Sequence, residues 1–281
     1  MHSPLMKLVF CCTCALAAMT CRAENAAAPT AVSADEVIDQ CWFEPKARSG
    51  RSTIKLTVAN MAGDVTKERT MVMFWKIAGE EDVFARQTIY VTAPPEFKYN
   101  AYLRWEPPLA SAKPPDQWVY LTNTQKTRRI ATRDPEDLTW GLIGEDLKLM
   151  QWPESTKTLL RTVNDSARHT YDVELIPTSK ESLYGKIVAR FERGVDWSSC
   201  AHSHSTFFDR DGGIIKEIET TWGTREGQRI RESIVISSTK SKTKTTYKFE
   251  DTVLDPPLDD HIFTARALAH AERYLGNDSP H

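Results

Sequence analysis

Residues 116–149 read DQWVYLTNTQKTRRIATRDPEDLTWGLIGEDLKL, and this stretch constrains the fold more than any other part of the chain. Asp116 to Leu121 is rich in aromatic and β-branched residues and reads as a strand. A polar turn follows, and the return strand carries the pair Arg128-Arg129 before Ile130. Beyond Ile130 strand patterning stops. Pro135 to Gln151 holds Leu138, Leu142, Leu147 and Met150 with Trp140, and Trp152 follows, which reads as a loop leading into a short helix.

Upstream, β patterns dominate. Ser52 to Asn60 places Ile54, Leu56 and Val58 on one face. Glu68 to Lys76 (ERTMVMFWK) alternates Met71, Met73 and Trp75 against Val72 and Phe74, so both faces are apolar. Asp82 to Thr92 and Tyr99 to Glu106 continue the run, and Pro94-Pro95, Pro107-Pro108 and Pro114-Pro115 punctuate it, since proline cannot donate to a central ladder. Downstream, strands return at Thr170 to Pro177, Tyr184 to Glu192 and Ser203 to Asp209. Asp211-Gly212-Gly213 is a turn, and Ile214 to Trp222, Arg229 to Ser237 and Thr243 to Glu250 complete the set. Residues 259–275 read as a closing helix, and Ser33 with Glu36 marks a capped helix start. The chain is therefore mainly β, with about ten strands, mostly consecutive and antiparallel. A large curved antiparallel sheet forming an open, incomplete β-barrel with short helices at its mouth is expected.

The N-terminus reads as a processing signal. Lys7 precedes the apolar, small-residue run Leu8 to Thr20, too short to span a bilayer, and Cys21-Arg22-Ala23 supplies a small-x-small cleavage pattern. Thr20 makes Ala18-Met19-Thr20 a poor lipobox, so cleavage is preferred over lipid anchoring at Cys21. The division expected is a signal peptide over 1–23, a flexible leader over 24–32 and a single domain over 33–281. Four of the six cysteines fall in the signal. Cys41 and Cys200 remain, and sequence leaves open whether they pair or are two buried thiols. The 281 residues carry 36 basic and 38 acidic side chains; without Lys7 and Arg22 the balance is 34 to 38, a net charge of −4. A nucleic-acid binder would show a clustered basic excess, so that class is set aside.

With these elements in order, the block at 116–149 resembles the central block of the periplasmic outer-membrane lipoprotein-sorting proteins, which share the fold of the LolA and LolB carriers. There it reads Trp-x-Tyr-Leu-Pro, then Arg-Arg-Ile, then a loop ending in Glu-Asp-Leu. Trp118, Tyr120, Leu121, Arg128, Arg129, Ile130, Glu145, Asp146 and Leu147 stand at those positions. The likeness extends over about Arg69 to Leu268. It takes in Tyr171 to Pro177, Phe208 to Gly212 and the closing Leu258 to Thr264. Two departures stand out: Thr122 replaces the family proline, and Leu138 to Gly144 replaces a more polar loop. Trp140, Leu142 and Ile143 make that loop a more apolar plug.

The resemblance implies a cavity for acyl chains. Candidate lining residues are Met71, Met73, Trp75, Tyr90, Tyr102, Trp105, Trp118 and Tyr120, which fall on successive strands; Met and Trp adapt to irregular hydrocarbon shapes. The competing reading is ordinary core beneath a helix. Arg128 and Arg129, with Trp140 and Leu142, are the candidate rim and lid. An arginine there would hold a phosphate or carboxylate head group, or pair with Glu145 or Asp146. In Cys200-Ala201-His202-Ser203-His204, period two places three potential ligands on one strand face, but ~7 Å apart, which strains coordination of one ion. No metal or cofactor is expected. Nor is an enzyme: Gly-x-Ser-x-Gly, His-Glu-x-x-His and phosphate-loop patterns do not occur, and there is no paired Cys-x-x-Cys. The function expected is a periplasmic carrier that shelters lipid or lipoprotein acyl chains and moves them toward the outer membrane, with transient membrane contact. The alternative is a non-enzymatic periplasmic partner of an inner-membrane efflux-type exporter, without cargo.

Overall fold

The computed structural model describes residues 32–276 except 42–46, 109–110, 112, 131–151, 166 and 181. The signal and most of the leader, and Trp140, Leu142, Glu145 and Asp146, lie outside the described residues. The chain begins with helix α1 (Ala34–Gln40), whose N-cap Ser33 accepts from the Glu36 amide at 3.1 Å, as the capping pattern predicts. Six strands follow: β1 (Ser49–Asn60), β2 (Val65–Ile77), β3 (Ala85–Ala93), β4 (Ala101–Glu106), β5 (Asp116–Leu121) and β6 (Lys126–Ile130). Seven more are β7 (Ser155–Asn164), β8 (His169–Pro177), β9 (Lys186–Arg193), β10 (Ala201–Phe208), β11 (Ile214–Arg225), β12 (Gln228–Ser238) and β13 (Thr243–Leu254).

These thirteen strands form one antiparallel sheet in the order β6-β5-β4-β3-β2-β1-β13-β12-β11-β10-β9-β8-β7. The sheet is two meanders joined at a central seam, where β1 pairs β13 from Gly50↔Leu254 to Asn60↔Thr243. Strands β6 and β7 are its two edges, so the sheet is not closed into a barrel. The long meanders follow from short polar turns between consecutive strands, which favour neighbouring antiparallel pairs.

Both faces near β2 are apolar, as its sequence requires. On the inner face Ile54, Leu56, Met71, Met73, Trp75, Ile89, Tyr102, Val119, Ile234, Ile236 and Tyr247 form one buried cluster. On the outer face Val72, Phe74, Tyr90, Ala101 and Leu103 pack against Ile262, Phe263, Leu268 and Ala271 of the C-terminal segment. That segment departs from the single helix expected over 259–275. It makes two 3₁₀ turns, Asp260–Phe263 and Ala267–His270, before the short helix α2 (Ala271–Leu275). Strand side chains take carbonyls that a continuous helix would use: Thr88 donates to the Ile262 carbonyl at 2.9 Å, Trp105 to that of Phe263 at 2.9 Å, and Tyr90 to that of Ala267 at 3.2 Å.

Cys41 and Cys200 are joined by a disulfide with a Cα–Cα distance of 4.8 Å, which settles the alternative the sequence left open. It ties the end of α1 to the start of β10.

Candidate functional site

The inner face is built by period-two alternation along β2. Met71, Met73 and Trp75 point inward and pair across the ladder with Ile54, Ser52 and Gly50. Gly50 is required by close approach. A Cβ at this position would sit 2.5 Å from the Trp75 indole, so the ring lies flat over bare backbone. Beside it, across the β1–β13 seam, opens a small pocket of about 60 Å³ lined by Ser52, Met73, Trp75, Arg231, Phe249 and Leu254, with Gln228 to Ile230 and Thr252 completing the wall.

Its polar wall is organised by specific bonds. Ser52 and Thr252 share a buried hydroxyl–hydroxyl bond of 3.0 Å, and Gln228 accepts from the Ala47 amide at 2.8 Å. The Arg231 guanidinium lies 5.5 Å from the Trp222 ring of β11 and 6.0 Å from that of Phe249; Arg229, on β12 with Arg231, lies 5.4 Å from the same Trp222 ring. Burial lowers the pKa of both arginines, Arg231 to about 10, so Arg231 stays charged near neutrality. Trp222 donates in turn to the His202 carbonyl at 2.6 Å. His202 is buried against Trp152 and Phe191, with ring centroids at 5.1 and 5.9 Å. Burial first, and the Arg231 charge second, lower its pKa to about 3. A second polar group lies farther along the same face. Tyr102 donates to Gln117 at 2.5 Å, and buried Arg104 pairs with Glu106.

The eight residues proposed from sequence divide between the two faces. Met71, Met73, Trp75 and Tyr102 lie together on the inner face, with the first three on β2. Tyr90, Trp105, Trp118 and Tyr120 lie on the outer face against the C-terminal segment. Tyr90 stacks on Tyr274 with centroids 6.2 Å apart, and Trp105 meets Trp118 edge-on at 5.1 Å. Strand alternation separates the two sets: Tyr90 pairs outer-facing Val72, and Trp118 pairs outer-facing Leu103. The paired arginines also diverge. Arg128 pairs inner-facing Val119 at the exposed sheet edge, and Arg129 pairs outer-facing Trp118 and forms an ion pair with Asp116. The proposed rim residues Trp140 and Leu142 fall outside the described residues.

The Cys-Ala-His-Ser-His segment is not a ligand set. Cys200 is in the disulfide, and a register shift between His202 and His204 turns the two rings to opposite faces. His202 pairs buried Phe191 and hydrogen-bonds Ser205 at 3.1 Å, while His204 pairs Arg190. Among the described residues no group of three or more His, Cys, Asp or Glu is placed to hold a metal ion.

Sequence reading missed Arg229 and Arg231. Simple alternation from inner-facing Ile234 and Ile236 puts Arg231 on the outer face. A bulge, with Thr221↔Ser233 followed by Trp222↔Arg231, moves it inward, and bulges leave no reliable mark in sequence.

Comparison with known proteins agrees with this architecture. A family model described only as an uncharacterized protein matches residues 85–270. No curated protein matches the chain. Among solved structures, a domain from Vibrio parahaemolyticus named for outer membrane lipoprotein sorting superposes with a TM-score of 0.67 at 18% identity, covering 84% of this chain and 96% of that one. A DUF1329 family protein from Desulfovibrio piger gives 0.66 at 18% identity, over 84% and 95%. A LolA superfamily protein from Nitrosomonas europaea gives 0.54 at 17% identity, over 83% and 98%. The chain thus belongs to the uncharacterized family whose model spans 85–270, and its fold is LolA-like.

Proposed function

We propose that this protein is a non-enzymatic periplasmic carrier, which shelters the acyl chains of lipids or lipoproteins on its inner face and moves them toward the outer membrane. The observation that carries this reading is the apolar opening between Met73, Trp75, Phe249 and Leu254 on a sheet left unclosed. The LolA-like fold supports it. So does the Cys41–Cys200 disulfide, a linkage typical of exported proteins. Among the described residues no helix is long and apolar enough to cross a membrane, so membrane contact in this reading is transient.

The driving force is physical. Each methylene removed from water contributes ~0.8 kcal/mol, so a chain of ten or more yields tight binding. The pocket of about 60 Å³ is far below the ~300–1,000 Å³ of ligand sites, so uptake requires the inner face to open. Met71 and Met73 repack readily, and the sheet ends at β6 and β7 rather than closing on itself.

The test is uptake of a fluorescent fatty acid by the mature protein. Trp75→Glu is expected to lose binding at least ~10-fold, because a carboxylate replaces an apolar wall. Trp118→Glu, on the outer face, is expected to keep it, with circular dichroism confirming that both variants fold. Full uptake by folded Trp75→Glu would remove the inner face from the mechanism. The small pocket volume favours a second reading, a cargo-free partner of an inner-membrane exporter. A lipid-free mass in native mass spectrometry of protein from its own periplasm, with no uptake of added lipid, is the outcome that selects it.

A further inference from the structure

Arg231 carries a positive charge onto the apolar inner face. Among the described residues no carboxylate lies within ion-pair distance of it, and its Nε is buried with no hydrogen-bond acceptor. Two aromatic rings, Trp222 at 5.5 Å and Phe249 at 6.0 Å, are what its cation faces. Rings attract a cation but accept none of the directed hydrogen bonds of its fork. A guanidinium whose buried Nε donor is unmet weakens the fold, and an oxyanion placed against it would meet that donor.

The surroundings define that partner. Arg229 stands two residues away with its cation over the same Trp222 ring. The same pocket is lined by the Ser52 and Thr252 hydroxyls, bonded to each other at 3.0 Å, and by the hydrocarbon and rings of Met73, Trp75, Phe249 and Leu254. A planar fork beside an apolar floor suits an oxyanion attached to an alkyl chain. We infer that Arg231 receives the carboxylate or phosphate-ester oxyanion of an acyl amphiphile whose chain lies along Met73 and Trp75. The inference rests on the carrier reading and adds the headgroup class to it.

Calorimetric titration of the mature protein with decanoate, decyl phosphate, decanol and inorganic phosphate tests it. Arg231→Gln is expected to weaken decanoate and decyl phosphate by ~10–100-fold, the range of a hydrogen bond to a charged group, and to leave decanol unchanged. Arg231→Lys, which keeps the charge but not the fork, should fall between. Equal affinity of wild type and Arg231→Gln for decanoate overturns the inference while the carrier reading stands. Inorganic phosphate binding as tightly as decyl phosphate, and lost in Arg231→Gln, keeps the oxyanion site but removes the acyl chain and with it the carrier. No binding of any probe to wild type overturns both. Arg231→Met supplies a check independent of ligand. It should melt higher than wild type, since it deletes an uncompensated charge; a lower melting temperature means the guanidinium is already compensated, and sinks the proposal.

Discussion

His202 shows how a single residue ties the stability of this protein to pH. Its ring is buried, bonded to Ser205 at 3.1 Å and Thr220 at 3.5 Å, and faces Trp152, Phe191 and the Arg231 charge. Protonation in place would put a second cation beside Arg231 in an apolar setting, so the folded-state pKa falls to about 3 from the ordinary 6.5. The sign follows from linkage. Between those two values the unfolded chain binds the proton and the folded chain does not, so stability is complete above pH 6.5 and declines as pH falls toward 3. At ~1.4 kcal/mol per unit, acidification from pH 6.5 to 4.5 should remove about 3 kcal/mol through this residue. Urea unfolding across that range checks it: wild type should lose more stability than His202→Gln, and parallel curves would show that the ring does not carry the effect. The residue is in plain view in the sequence, but its role is not. Period two places His202 and His204 on one face, and only the bulge seen in the ladder separates them.

At the scale of elements, the C-terminal segment is the clearest structural dependency. It covers the outer face through Ile262, Phe263, Leu268 and Ala271, and strand side chains hold its carbonyls. Phe263 is about 1% exposed. Phe263→Ala should therefore destabilise by ~3–5 kcal/mol, visible as a lower melting temperature, while decanoate affinity of the folded fraction stays unchanged because the inner face is untouched. An unaltered melting temperature would mean the segment is peripheral. Elements were legible from sequence where one or both faces are buried. The alternation of β1, β2 and β13 gives these strands directly, and the Asp211-Gly212-Gly213 turn separates β10 from β11. The sequence does not mark strand β7. It is an edge strand whose second half is exposed throughout, so STKTLLRTVN lacks the alternation that burial imposes. The closing segment read as a helix because its apolar spacing fits one. Its 3₁₀ turns come from hydrogen bonds to strands more than 150 residues away, as between Trp105 and Phe263.

For the whole molecule the decisive feature is the seam. Twelve ladders join thirteen strands, and eleven of them connect strands adjacent in the chain; β1 with β13 is the exception, pairing Gly50 with Leu254. The inner core and the Arg231 pocket straddle this line, with Ile54 and Leu56 on one side and Ile234, Ile236 and Tyr247 on the other. A pairing so distant in sequence carries a large chain-closure entropy, and each meander can form its own ladders without it. The Cys41–Cys200 disulfide, with a separation of 159 residues, addresses this weakness: it links the chain just before β1 to the start of β10 in the second meander. In the chain-entropy model a loop of this size is worth about 5 kcal/mol, and roughly 2–4 °C of melting temperature goes with each kcal/mol in a protein this large. Replacing both cysteines by serine should lower the melting temperature by ~10–20 °C. Hydrogen exchange should locate the loss at the seam, with amides of β1 and β13 losing more protection than those of β3 and β4. An equal loss across the sheet would mean that the meanders do not come apart there. Because the pocket opens beside the same ladder, the linkage that stabilises the fold also limits how far the inner face can part to admit a chain. The cysteine-free protein should therefore take up fatty acid faster than wild type at a temperature where both are folded, and an unchanged rate would place the opening elsewhere in the sheet.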